Sequence, residues 1–339
     1  MRKSSLNIYR CPVSGGPLKL NSDVDSSDDV VVQGELLSDD NSYEISNGIA
    51  NFAPDESLTG SAKFARDYYA TIAHTYDENV HVTFDLYGED ERGIRERMID
   101  LLQLSSGDAR VLEISAGTGK DSELIAKRLS EKGELWLLDI SPQMIERAQQ
   151  KLSEVPFPTE FTIGNACSLP FADNSFDALF CFAGIGHFPD TKKGLSEMAR
   201  VVRKGGRVVF CEKNVPPWLL QTTYGKILIN NNPMFAHPAP LDCIPTSARD
   251  VGIRWINGGV HYVVDYTVGE GAPSGAFDLE LPGHRGGTFN TRYFGKLEGV
   301  TPETKALYEE AASSAGKSLH VWLDEVVRAA ALRDLRKSN

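Results

Sequence analysis

Between about residues 110 and 211, short apolar runs alternate with stretches whose apolar positions recur every three to four residues. Val111–Ile114, Leu135–Asp139, Phe161–Gly164, Ala178–Phe182 and Arg207–Cys211 read as strands. Asp121–Arg128, Pro142–Leu152 and Lys193–Val202 read as helices between them. The resulting order, β-α-β-α-β-β-α-β, predicts an α/β domain on a mostly parallel sheet. After an irregular stretch at Val215–Pro245, Ser247–Val251 reads as a helix. Ile253–Ile256 and His261–Val268 then read as an antiparallel pair turned at Asn257-Gly258-Gly259.

The flanking zones have different patterns. Residues 1–56 are polar and turn-rich, with apolar pieces at Val30-Val31-Val32 and Ile45–Phe52, and predict a small β-rich module. Glu270 to Thr288 is rich in Gly and Pro, and Pro302–Ala315 and Ser318–Leu335 read as two helices separated at Gly316. The expected organisation is therefore 1–56, a core at 57–269 with an insertion at about 215–245, and a linker with C-terminal helices at 270–339.

Composition narrows the function classes. A net charge of −12 over 339 residues disfavours nucleic acid as a partner, because phosphate backbones are repelled. The first 56 residues hold four basic and ten acidic side chains, so half of that charge sits there. Five scattered cysteines without a Cys-x-x-Cys pair predict neither a disulfide scaffold nor a zinc site. No apolar run approaches the ~18 residues of a membrane span and no signal-peptide core follows the N-terminus, so the expected location is the cytoplasm, with no membrane partner.

The sharpest local motif is Val111-Leu112-Glu113-Ile114-Ser115-Ala116-Gly117-Thr118-Gly119-Lys120, a strand ending in a small-residue turn that opens a helix. Glycines there let backbone approach a ligand, and the helix N-terminus offers free N–H groups. Neither a dinucleotide fingerprint nor a phosphate-binding loop fits, since Ser122 stands where the former needs glycine and Asp121 where the latter needs Ser or Thr. About 20 residues on, Asp139 ends a second strand, where a carboxylate is placed to accept both hydroxyls of a ribose.

Glu113–Gly119, Leu138–Ser141, Asn165-Ala166, Pro170–Asp177 and Arg200–Gly206, in this order and spacing, resemble the class I S-adenosylmethionine-dependent methyltransferases. The resemblance covers roughly Tyr68 to Val268 and implies a Rossmann-like sheet with helices on both faces. It also implies that Glu113, Gly117 and Gly119 line the methionine and ribose side of the cofactor and that Asp139 binds the ribose. Ile140 and Met144 would flank the adenine, and Asn165 and Ala166 would hold its edge. Ser115 and Asn165 depart from the family, which usually has glycine and often aspartate there. Tyr68, Tyr69 and Tyr76 lie where relatives close a helix over the cofactor, and Tyr76 is taken as a contact.

Methyl transfer asks mainly for in-line positioning, with a general base only when the acceptor loses a proton. His187, His261 and Tyr224 are the candidate catalytic side chains, with His237 a further possible base. Tyr224, Asn230, Asn231, His237 and Trp255 lie in or beside the insertion where this family builds its acceptor pocket. Phe171, Phe176 and Cys181 are read as core.

Leu6–Leu18, Gly34–Asn41 and Tyr43–Pro54 resemble the small zinc-ribbon-like module fused to some tRNA and rRNA methyltransferases. Cys11-Pro12 begins its metal knuckle, but Ser14 and Ser38–Asn41 replace the other ligands, which predicts a metal-free relic packed on the core. Val300–Ala331 faintly resembles the helices of ribbon-helix-helix proteins; with six basic and six acidic residues from Thr301 onward, it is expected to pack or dimerise rather than bind DNA. The sequence therefore reads as a methyltransferase for a small-molecule or peptide acceptor, in specialised metabolism. The rivals are an rRNA guanine N-methyltransferase and a non-catalytic, cofactor-binding regulator.

Overall fold

Successive side chains of a strand point to opposite faces, and strands covered on both faces read as continuous apolar runs. The computed structural model shows where those runs go. It describes residues 1–21, 25–27, 29–282, 286–294 and 300–337, and the chain divides into two units, Met1–Ala272 and Pro273–Asn339.

In the first unit the chain begins with β1 (Lys19–Leu20), β2 (Asp25–Ser27), β3 (Val30–Leu37), β4 (Ser42–Ser46) and β5 (Ile49–Asn51). Four helices follow: α1 (Gly60–Ile72), α2 (Tyr76–Asn79), α3 (Val82–Asp85) and α4 (Glu91–Asp100). The alternating core comprises β6 (Arg110–Ile114), α5 (Lys120–Ala126), β7 (Glu134–Asp139), α6 (Pro142–Lys151), β8 (Thr159–Ile163), β9 (Phe176–Phe182), α7 (Thr191–Val201) and β10 (Val202–Lys213). The unit continues through α8 (Thr223–Asn231), β11 (Ala248–Ile256) and β12 (His261–Val268).

These strands form one sheet in the order β1-β3-β4-β5-β8-β7-β6-β9-β10-β12-β11, with β2 paired to β3. The run from β5 to β10 is parallel, and β12 and β11 close that edge antiparallel. The expected Rossmann-like sheet is present. Residues 1–56 fall in the same unit as the core, because β5 pairs in parallel with β8, Ala50 opposite Thr162.

The period-two alternation divides two cores. Val111, Leu135, Leu137, Phe180 and Val209 face Ile94 and Met98 of α4, Leu124 and Ile125 of α5, and Ile145 and Ala148 of α6. Leu112, Trp136, Leu138, Leu179 and Phe210 face Leu195 and Met198 of α7 together with the N-terminal segment. Tyr9, wholly buried, stacks on Phe52 and lies 5.3 Å from Trp136 and 5.7 Å from Phe171, ring to ring. Its hydroxyl reaches Thr162 Oγ1 at 3.1 Å, so the segment that covers this face is pinned to β8. The Cys11 thiol contacts the Tyr43 hydroxyl at 3.1 Å and accepts from the Ser14 backbone N–H.

Helix starts follow capping chemistry. Asp90 and Asp190 accept from the N–H groups of Gly93 and Lys193 at the starts of α4 and α7, and Pro142 fills the first position of α6. Two local expectations are corrected. The stretch Val215–Pro245 is not wholly irregular, since Thr222 caps α8 through Gly225 N. Ser247–Val251 is not a helix. Its backbone joins β11, Ala248 opposite Val268, because β12 offers an unpaired edge whose N–H and C=O groups need partners. A register shift between Arg249 and Gly252, with Asp250 in the left-handed region (φ 50°), breaks the simple alternation that would have marked a strand.

The second unit contains α9 (Phe289–Phe294), α10 (Pro302–Ser314) and α11 (Leu319–Lys337), with Thr301 capping α10. Gly316 takes the left-handed conformation (φ 64°) between the last two helices. Part of the Gly/Pro-rich stretch, residues 283–285, lies outside the described residues. Among the described residues no helix is long and apolar enough to cross a membrane.

Candidate active site

In an open α/β sheet, ligands sit beyond the carboxyl ends of the strands where the strand order reverses. Here β6 lies between β7 and β9, so the reversal falls at the end of β6. The turn after β6 has Ser115, Gly117 and Gly119 in the left-handed region, at φ 54°, 54° and 77°. Gly119 is required by packing as well, since a Cβ there would meet the Ala148 Cβ of α6 at 3.1 Å. Gly117 has open space on that side and borders a cleft.

At the end of β7 the Asp139 carboxylate accepts from Gly117 N at 2.8 Å and from Ser141 N at 2.9 Å. Burial pushes its pKa up, against the pull of those amides. Ile140, Met144, Asn165 and Ala166 line the same cleft, and Asn165 Oδ1 accepts from Cys167 N at 2.9 Å. The opposite wall is Gly184, His187 and Phe188, from the segment after β9. Tyr69 of α1 and Tyr76 of α2 complete it, the Tyr69 hydroxyl lying 3.4 Å from His187 Nε2. Burial lowers the His187 pKa; Glu212 opposes that effect and Lys213 adds to it.

The helices over the cleft are tied down by charge. Asp77, next to Tyr76, accepts from the Thr118 hydroxyl and lies 2.6 Å from Lys151 Nζ. Arg95 of α4, buried, pairs with Asp121 Oδ2 at 2.5 Å and Glu91 Oε1 at 2.9 Å. Its guanidinium stands 4.6 Å from the ring centroid of Phe182, a residue of the cleft wall.

The structure brings together Tyr76, Gly117, Asp139, Ile140, Met144, Asn165, Ala166 and His187. It does not bring the other expected residues there. Glu113 shares the face of Val111 and points under α5, where it accepts from the Ser122 hydroxyl; burial and the nearby Asp121 charge hold its pKa well above the usual range. Gly119 serves the α5–α6 contact instead of the cleft. His261 is 2% exposed, stacked against Phe182 and 3.2 Å from Asn257 Nδ2. Tyr224 lies on α8 and donates to Gly258 O at 3.0 Å, outside the cleft. Trp255 Nε1 donates to Asn214 Oδ1 at 2.9 Å, while His237 lines a separate cavity beyond Phe188. Phe182, Ala183 and Gly184 were not anticipated as wall residues; Gly184 in particular leaves no room for a Cβ, which would meet the Ser115 Cβ at 2.4 Å.

This sheet order and the carboxylate-bearing cleft at its reversal define a Rossmann-like α/β protein with a ligand site at the switch point. Residues 112–210 match the family model described as a methyltransferase domain. Demethylmenaquinone methyltransferase from Desulfitobacterium hafniense is 35% identical over 158 residues, covering 46% of this chain and 60% of that protein. The enzyme of that name from Lactiplantibacillus plantarum is 32% identical over 176 residues, covering 50% of this chain and 73% of that one. A solved SAM-dependent methyltransferase from Aquifex aeolicus aligns at 18% identity with a TM-score of 0.43, covering 59% of this chain and 98% of its own. The chain belongs to the class I S-adenosylmethionine-dependent methyltransferases.

Proposed function

We propose that the protein transfers a methyl group from S-adenosylmethionine to a small-molecule acceptor. The observation that carries this reading is the Asp139 carboxylate at the switch point, bordering the cleft and held by two backbone amides. A carboxylate has about four lone-pair positions, so two remain for a pair of ribose hydroxyls. Ile140 and Met144 supply apolar faces for a purine ring, and the Asn165 amide group, whose oxygen is engaged by Cys167 N, keeps its Nδ2 donors for a ring nitrogen. Tyr69 and Tyr76 exclude water from the side away from the sheet. Bound there, S-adenosylmethionine supplies an electrophilic methyl group on a sulfonium. His187 orients the acceptor side, its neutral ring steadied by Tyr69.

The relatives' name favours an electron-rich ring over a peptide as acceptor. Specialised metabolism fits an acidic chain with a long insertion between β10 and β11. Calorimetric titration with S-adenosylmethionine and S-adenosylhomocysteine tests the core of the reading. Micromolar binding of both is expected, and binding of neither would overturn it.

A further inference from the structure

A second cavity lies beside the cofactor cleft and shares its Phe188 wall. Glu212, at the end of β10, lines it and is 4% exposed. Its carboxylate accepts only from backbone amides, Gly186 N at 3.0 Å and Lys213 N at 2.8 Å, and no cation pairs with it among the described residues. A buried carboxylate without a counter-ion is costly unless its remaining lone pairs are used. In the β10–β12 ladder Tyr262 stands directly opposite Glu212, so both side chains leave the sheet on one face. Tyr262 is 3% exposed and lines the cavity, and its hydroxyl has no hydrogen-bond partner among the described residues. Burial and the Glu212 charge push the Tyr262 phenol up, so it remains a donor. Lys213, the next residue of β10, stands opposite His261 and sends its side chain to the other face of the sheet. The remaining wall is largely apolar, with Phe188, Met234 and two prolines.

We propose that this cavity receives the oxygenated edge of a hydroxylated aromatic acceptor, Glu212 accepting a hydrogen bond from one ring hydroxyl while Tyr262 donates to a second ring oxygen. The assignment rests on the methyltransferase reading above and adds the acceptor's chemical class. A carboxylate-bearing acceptor is repelled by Glu212, and an oxygen-free ring leaves the Tyr262 hydroxyl without a partner and the remaining Glu212 lone pairs unused. Gly186 is part of the same construction, because a Cβ there would meet Met234 Cε and press on Glu212 Oε2 at 3.1 Å.

The test is binding of 1,4-dihydroxynaphthalene, under anaerobic conditions, to the full-length protein saturated with S-adenosylhomocysteine. Its dimethyl ether serves as the comparison ligand. The diol is expected to bind, to lose at least tenfold in affinity on Glu212→Gln, and to lose severalfold on Tyr262→Phe, a change that removes only an unpartnered hydroxyl. The ether is expected to bind wild type and Glu212→Gln alike, and S-adenosylhomocysteine affinity to stay within twofold throughout. Equal diol affinity in wild type and both variants overturns the proposal. So does absence of diol binding by a protein that binds S-adenosylhomocysteine. Failure to bind S-adenosylhomocysteine instead overturns the cofactor reading beneath it, so the two failures are told apart.

Discussion

The Asp139 carboxylate lines the cleft and is held by two backbone amides. Hydrogen bonds to a charged group contribute about 1.5–3 kcal/mol, so Asp139→Ala is expected to weaken S-adenosylhomocysteine binding by that amount in calorimetry. The position of Asp139 at the cleft was legible in the sequence because strand end and spacing together fix its place, whereas the face that Glu113 takes was not. A motif locates a residue along a strand, but parity decides its face, and Glu113 shares the face of Val111, covered by α5. His261 gives a second test. Burial, with help from Lys213 and Arg95, lowers its pKa to about 3. The unfolded chain therefore binds a proton near pH 6.5 that the folded chain refuses until about pH 3, and stability falls as pH drops through that window. Thermal melts from pH 7 to 4 should show a shallower loss for His261→Gln than for wild type. Identical slopes would place the acid sensitivity elsewhere.

At the scale of elements, α4 is the brace of the cleft. Arg95 joins it to α5 through Asp121 and stacks on Phe182. Removing one partner of a buried pair strands the other charge, at a cost of about 3–5 kcal/mol, so Arg95→Ala should destabilise strongly in denaturant melts. Arg92, exposed on the same helix, should change stability by no more than about 0.5 kcal/mol when replaced by alanine. The parallel core was readable because its strands are apolar on both faces. In β11 Ile253–Ile256 was readable as a strand but Ala248–Val251 was not, because there, at the sheet edge, Arg249, Asp250 and a register shift erase the period of two.

At the scale of the whole molecule, the cleft and the cavity beside it belong to one unit. Every residue lining the cofactor cleft and the cavity beyond it lies within Met1–Ala272. A protein ending at Ala272 is therefore expected to bind S-adenosylhomocysteine with affinity within about threefold of the full chain, and a larger loss would give Pro273–Asn339 a share in the site. The net charge of −12 makes a further prediction at this scale. Heparin should fail to retain the protein even at low salt, where electrostatic binding is strongest, since acidic side chains outnumber basic ones and repel its sulfates.

The parallel pairing of β5 with β8 has a consequence for synthesis. Ala50 meets Thr162, so β5 must await a partner about 110 residues further along the chain. At ~5–20 residues per second, the ribosome takes roughly 5–20 s to deliver it. During that interval Tyr9, Phe52 and the edge of β5 have no sheet to cover, and a nascent-chain chaperone has an apolar target that disappears once β8 emerges.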